Sequence, residues 1–208
     1  MEAIAEAALA IGLDKVTMTA VAERLGVDHS SLYRHVGNRA ELLVVAADLA
    51  MAGLDLQSDA PHWRGYLEVL AGALWSLYRR HPGLADILRT MEMTPPSAVR
   101  AFAEVVRRLE SFGFTRPNAV LVLDSIVDMT TDSVSGWRRL ARRGRAGKRV
   151  GDSIVASWTA AAREAGGTLA PQIDEFAAVL TGDPETWWRR KLGLLLDGAE
   201  VLLARQTR

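Results

Sequence analysis

The chain of 208 residues contains no cysteine. That excludes structural disulfides, thiolate metal sites and cysteine nucleophiles. It carries no net charge either, because 25 basic residues cancel 25 acidic ones. A case for a nucleic-acid partner must therefore be local. No run reaches the roughly 18 consecutive apolar residues of a transmembrane helix. The opening Met1-Glu2-Ala3 has no basic stretch leading into an apolar run. That is not the pattern of a secretory leader, and a cytoplasmic protein without a membrane partner is expected. Period-2 alternation bounded by turn signals is missing, so no sheet is expected. Phosphate loops and nucleophile elbows are missing too. His62 and His81 stand alone, with no acid at ligand spacing. These gaps argue against catalytic residues, a metal site or a cofactor.

What is present is helical periodicity. The hydrophobic share of 49% is enough for a real core. Apolar residues recur every three or four positions, as at Trp63, Leu67, Leu70, Leu74 and Leu77. The longest such pattern runs from Pro117 to Leu140, and Pro117 suits a first helical turn. Asp183-Pro184-Glu185 supplies a cap, a first-turn proline and a first-turn acid for a helix reaching Arg205. Breaks at glycine and proline divide the chain into about nine or ten helices. A polar stretch from Gln57 to Pro61 suggests a boundary between a head, 1–55, and a larger helical body, 56–208.

Within the head, Thr17 can cap a short helix whose inward positions are Val21, Ala22 and Leu25. Gly26 suits the left-handed turn that ends it, and Val27 would plug that turn. Asp28 can cap a second short helix with Leu32 and Val36 facing inward. Two short helices crossing at a small residue and joined by a glycine turn make a helix-turn-helix. The outward face of the second helix carries His29, Ser30, Ser31, Tyr33, Arg34 and His35. These short hydrogen-bonding groups and one guanidinium can read base edges and phosphates. Charge opposes that reading: residues 1–52 hold four basic and seven acidic residues. Glu2, Glu6, Glu41 and Asp48 can lie on faces turned from DNA.

The run LGVDHSSLYRHVGNRAELL, after the helix AIAEAALAIGLDKVTM, resembles the N-terminal domain of TetR-family transcriptional regulators. Leu32, Tyr33, His35, Val36, Asn38, Arg39 and Leu42-Leu43 resemble the tetracycline repressors in particular. Trp63, the His81-Pro82-Gly83 turn and the Gly113-Phe114-Thr115 turn extend the likeness into the body. The resemblance implies an all-α fold: a three-helix head on a helical ligand-binding and dimerisation body. It implies a homodimer on a palindromic double-stranded DNA operator, released by a small-molecule effector. His29, Ser30, Ser31, Tyr33, Arg34 and His35 would be recognition-helix contacts, and Thr17 and Arg39 would touch phosphates. Thr19 stands where tetracycline repressors have a base-reading arginine, and Gly37 replaces a lysine, so the operator should differ. The helix from Arg39 to about Ala52 is the expected lever, with Leu42, Val45, Ala46 and Leu49 meeting the body.

The implied cavity would be lined by Leu70, Leu74, Trp75, Leu88, Met91, Phe102, Val106, Leu123 and Val127. Leu88 stands where tetracycline repressors carry a chelate-binding histidine, and apolar Leu70 and Leu74 replace drug-gripping polar residues. A metal–tetracycline chelate is therefore not expected, and a largely apolar effector is. Asp124, Asp128 and Asp132 recur every four residues on one stripe. That stripe is either a solvated face or a source of one carboxylate, Asp124 or Asp128, for a cationic or hydroxylated ligand. In the last helix Leu192, Leu195, Leu196, Ala199, Leu202 and Leu203 form one apolar stripe, with Leu194 and Val201 on a second. Two apolar faces require two burial surfaces. Both can be internal, or a partner helix can cover one in a dimer; the resemblance favours the dimer, with a neighbour such as Ile154 to Ala165.

From Arg138 to Arg149 the chain has seven basic residues and no acid. The run is either a solvated mobile loop or a source of sequence-independent nucleic-acid affinity; the resemblance implies a place far from the recognition helices, outside the operator contact. Two other classes remain open: a helical protein-interaction adaptor, and a helical enzyme using the aspartate stripe. Salt-dependent binding of a palindromic duplex separates the regulator from both.

Overall fold

A computed structural model describes residues 1–56, 58–145 and 147–206. Gln57, at the start of the expected boundary stretch, and Ala146, inside the basic run, lie outside the described residues. Among the described residues the fold is all-α, with eleven helices rather than nine or ten. The head contains α1 (Glu2–Ile11), α2 (Met18–Leu25) and α3 (His29–Tyr33). Helix α4 (Arg39–Ala52) leads into α5 (Trp63–Arg80), α6 (Leu84–Thr90), α7 (Pro96–Ser111) and α8 (Arg116–Ala141). The chain ends in α9 (Val150–Glu164), α10 (Ala170–Thr181) and α11 (Pro184–Gln206). Gly166 and Gly167, both left-handed, separate α9 from α10.

Local signals account for most boundaries. Thr17 Oγ1 accepts from the Ala20 N–H at 3.1 Å and caps α2. Asp183 Oδ2 accepts from the Thr186 N–H at 2.7 Å, inside the acid–proline start of α11. Gly26 adopts φ +65 and closes α2, as its turn demands. Two local expectations fail. Asp28 occupies the cap position of α3 but makes no side-chain cap hydrogen bond. Val27 does not plug the turn; it is 44% exposed, because its N–H completes the turn onto the Ala22 carbonyl while its side chain points out.

One continuous core joins head and body. In the head Val21, Ala22, Leu32 and Val36 are buried. Helix α4 packs on α1 through one side and on α7 through another. Its buried face is Leu42, Ala46, Ala47, Ala50 and Met51, whereas Val45 and Leu49 are only half-buried. Helix α8 is the spine of the body and meets α5, α6, α7, α9 and α11. Trp75 on α5 stacks on Trp188 of α11 at 4.7 Å between centroids. The Trp188 indole donates to Thr130 Oγ1 at 3.1 Å, which gives a buried donor its partner.

The main stripe of α11 belongs to this same core. Leu192, Leu196 and Ala199 are buried, and Leu195, Leu202 and Leu203 pack against the core from its edge. Leu192, Leu196 and Ala199 are therefore taken up inside the protomer, where α11 packs on α8, while Leu195, Leu202 and Leu203 stay half-buried at the edge. The second stripe is the outward one: Leu194 is 74% exposed and Val201 49%.

Candidate nucleic-acid interface and ligand cavity

The outward face of α3 and of the turn after it is open. His29, Ser30, Tyr33, Arg34 and His35 are exposed and Ser31 is half-exposed. Leu32 and Val36, the anchors beneath, are almost fully buried, so the polar face is rigidly presented. His29 and Tyr33 meet edge to face at 4.9 Å. Arg34 Nη2 donates to Ser31 Oγ at 3.2 Å. These contacts leave a compact surface of donors and acceptors at major-groove scale.

Thr17 and Thr19 are exposed around the start of α2. Arg39, in the first turn of α4, donates through Nε to the Val16 carbonyl at 2.9 Å. That bond fixes its guanidinium next to Thr17. Asn38 and Glu41 form a reciprocal cap just before it. Asn38 Oδ1 accepts from the Glu41 N–H at 2.9 Å, and Glu41 Oε2 accepts from the Gly37 N–H at 2.8 Å. The signal was in the sequence as Asn-x-x-Glu, a capping-box spacing. It accounts for Glu41 as a structural acid.

A cavity of about 200 Å³ lies between α5, α6, α7 and α8. Leu70, Leu74, Leu88, Met91, Phe102, Leu123, Val127 and Asp128 line it, as the sequence suggested. Three expected residues do not. Trp75 is turned to the other side of α5, where it stacks on Trp188. Val106 and Asp124 line a separate shallow groove with Arg116 and Val120, on the outer side of α7 and α8. Among the lining residues that sequence reading missed are Met51 of α4, Leu54, Leu56, Met93 and Thr94 of the loops, and Tyr78, Ala98 and Thr131 of the enclosing helices. Periodicity on one helix cannot reveal what a loop delivers.

The cavity wall is mostly apolar, and its polar groups are few. The Tyr78 hydroxyl and Thr131 Oγ1 are 3.0 Å apart and satisfy each other. Burial pushes the Tyr78 phenol above its ordinary range, so it stays protonated. Asp128 reaches the cavity from an exposed position. Asp124 is exposed, and Asp132 is exposed and paired with Arg89. The aspartate stripe is thus mainly a solvated face, with Asp128 alone at the cavity. Thr130 and Thr131, beside the stripe in sequence, are buried and hydrogen-bonded inward.

A second, open groove of about 670 Å³ lies where head meets body and is lined by charged groups. Arg138 spans it. Its Nη2 donates to Asp14 of the α1–α2 connection at 2.8 Å, and its Nη1 to Asp86 of α6 at 3.0 Å. The basic run therefore starts in contact with the head. Among the described residues no cluster of three or more histidine, aspartate or glutamate side chains could hold a metal. No helix among them is long and apolar enough to cross a membrane.

Comparison with known proteins agrees with this geometry. Residues 1–46 match the family "Bacterial regulatory proteins, tetR family", and residues 57–203 match "Tetracyclin repressor-like, C-terminal domain". The transcriptional repressor DrrR1 of Streptomyces coeruleorubidus is 29% identical, over 99% of this chain and 77% of its own length. Apo ActR of Streptomyces coelicolor superposes with a TM-score of 0.78 at 21% identity, covering 97% of both chains. ActR bound to actinorhodin superposes with a TM-score of 0.77 at 22% identity, over 95% of this chain and 93% of that one. TetR of Acinetobacter baumannii has the same fold, with a TM-score of 0.69 at 22% identity, over 96% and 95% of the two chains. An exposed recognition face on a buried three-helix scaffold, an apolar cavity behind it and family matches over both segments lead to one assignment: the chain belongs to the tetR family of bacterial regulatory proteins and is a DNA-binding transcriptional regulator.

Proposed function

We propose that this regulator is a cytoplasmic repressor that binds a palindromic operator as a homodimer and is released by a small, largely apolar molecule. The carrying observation is the cavity itself: it is walled by apolar side chains and it ends on Met51 of α4. A molecule seated there touches the helix that follows the recognition helix in sequence. Residues 1–55 act as the DNA-binding unit and 56–208 as the effector-binding and dimerising unit. His29, Ser30, Ser31, Tyr33, Arg34 and His35 are the recognition-helix contacts, Thr19 stands at a base-reading position, and Thr17 and Arg39 touch phosphates. The half-buried edge and outward stripe of α11, with Leu194 and Val201, pair with a second copy across a two-fold axis. Such an axis suits a palindrome. ActR in complex with actinorhodin is a relative of the same fold with a bound small molecule, which supports an effector here. No catalytic role is assigned to the aspartate stripe.

A ligand shifts the equilibrium only if it binds the DNA-free conformation better. The test is release of a palindromic duplex, selected from a random pool by the protein, in a small-molecule screen. Expected hits are mainly apolar and act with a chelator present. A cationic group on a hit would point to Asp128, and Asp128→Asn should then weaken release with DNA affinity unchanged. Release only by a magnesium–tetracycline chelate, abolished by the chelator, would overturn the reading of the cavity.

A further inference from the structure

A DNA-binding head with four basic and seven acidic residues in its first 52 lacks the positive charge that duplex binding uses. The body brings that charge to it. Arg138 ties the end of α8 to Asp14, three residues before the Thr17 cap. Gly83 approaches the same loop so closely that a Cβ there would lie 2.7 Å from the Asp14 nitrogen. Arg142 and Arg39 line the same groove. The run beyond is folded back on itself. The Val150 N–H donates to the Arg142 carbonyl at 2.9 Å, the Gly144 N–H to the Lys148 carbonyl at 2.9 Å, and Arg143 Nη1 to the Gly147 carbonyl at 2.7 Å. An isolated bridge pairs Arg143 with Arg149.

The acids of the groove are already engaged: Asp14 and Asp86 by Arg138, and Asp132 by Arg89. Arg139, Arg142, Arg145, Lys148 and Arg149 are exposed and form no ion pair among the described residues. These unpaired cations follow Arg138, which lines one groove with Arg39 and Arg142, and so place a positive edge beside the head.

We propose that the turn from Arg142 to Arg149 is a second DNA contact that grips backbone phosphates of the duplex flanking the operator. It supplies affinity without sequence preference, since phosphates carry no sequence information. The proposal rests on the reading that α3 faces DNA.

The test uses the selected palindrome alone and the same palindrome with an arm of about 10 base pairs, roughly one helical turn, on each side. The full-length wild type should bind the longer duplex more tightly and with a steeper dependence on salt. The variant Arg142→Ala/Arg145→Ala/Lys148→Ala should lose that gain. Its slope of log affinity against log salt should flatten by about 3 per protomer, at about 0.9 per phosphate. Base preference should be unchanged, and Arg142→Lys/Arg145→Lys should retain the gain. A wild type with the same affinity for both duplexes overturns this proposal alone, and so does a variant as length- and salt-dependent as the wild type. A wild type that binds neither duplex overturns the α3 reading as well.

Discussion

Asp48 on α4 accepts the backbone N–H of Ser97 at 2.6 Å, so the helix leaving the head is bonded to the first turn of α7. Ser97 is buried, and the next residue, Ala98, lines the cavity. The bond satisfies a helix-terminal N–H that would otherwise lack an acceptor. It also ties α4 directly to the helix that walls the cavity. Asp48→Ala should cost about 1.5–3 kcal/mol of stability, the range for hydrogen bonds to a charged group. Its larger effect should be on coupling. An effector should bind the variant with similar affinity but change its operator affinity less, as titrations with and without duplex would measure. Undiminished coupling would remove Asp48 from the relay.

Filling the cavity separates effector binding from DNA binding. Ala98 is 3% exposed and its methyl faces the cavity. Ala98→Phe should occupy that space and block effector entry. Operator affinity should stay within about threefold of wild type, and release should disappear. Release at wild-type effector concentrations would mean that the effector binds elsewhere.

The two faces of α11 should respond in opposite ways. Leu196 is fully buried against the core, and Leu196→Ala should destabilise the protomer by about 2–5 kcal/mol in denaturant unfolding. Leu194 is mostly exposed, and Leu194→Glu should leave the protomer folded. Sedimentation should then show monomers at concentrations where the wild type is dimeric. A dimeric Leu194→Glu protein would move the pairing face off this stripe.

The Asn38–Glu41 cap sets the first turn of α4, where Arg39 sits. Asn38→Ala should cost about 1 kcal/mol. Because the cap also orients Arg39, the variant should bind all duplexes more weakly by a similar factor. Arg39→Ala should do the same, and a change in base preference in either would reassign the residue from backbone to bases.

His81 at the end of α5 gives a pH dependence. Burial, and then the neighbouring Arg80, hold its imidazole below the ordinary value of 6.5. The folded state therefore binds the proton less readily than the unfolded chain. Its contribution to stability is complete above about pH 6.5 and is lost as pH falls from there through the lowered value. His81→Gln should flatten this part of the stability profile between pH 7 and pH 5. An unchanged profile would show that other groups carry it.

The sequence by itself determined what is local. Glycine at 26, threonine at 17 and the Asp-Pro-Glu start at 183–185 specify helix ends, because a cap or a left-handed turn depends only on its neighbours along the chain. The polar outward face of α3 followed from the spacing of Leu32 and Val36 alone. Tertiary structure decided which neighbour each apolar stripe meets. Helical periodicity gives an angle about one axis, and an apolar face at Trp75, Val106 or Leu196 reads the same whether it meets a cavity, a groove or another helix. Only packing turned Trp75 onto Trp188, sent Asp124 outward and left Asp128 at the cavity. The basic run is the clearest instance. Its charge was plain in the sequence, but its place beside the acidic head follows from Arg138 reaching Asp14 across 124 residues of chain. Long-range ion pairs of that kind leave no mark on local patterning.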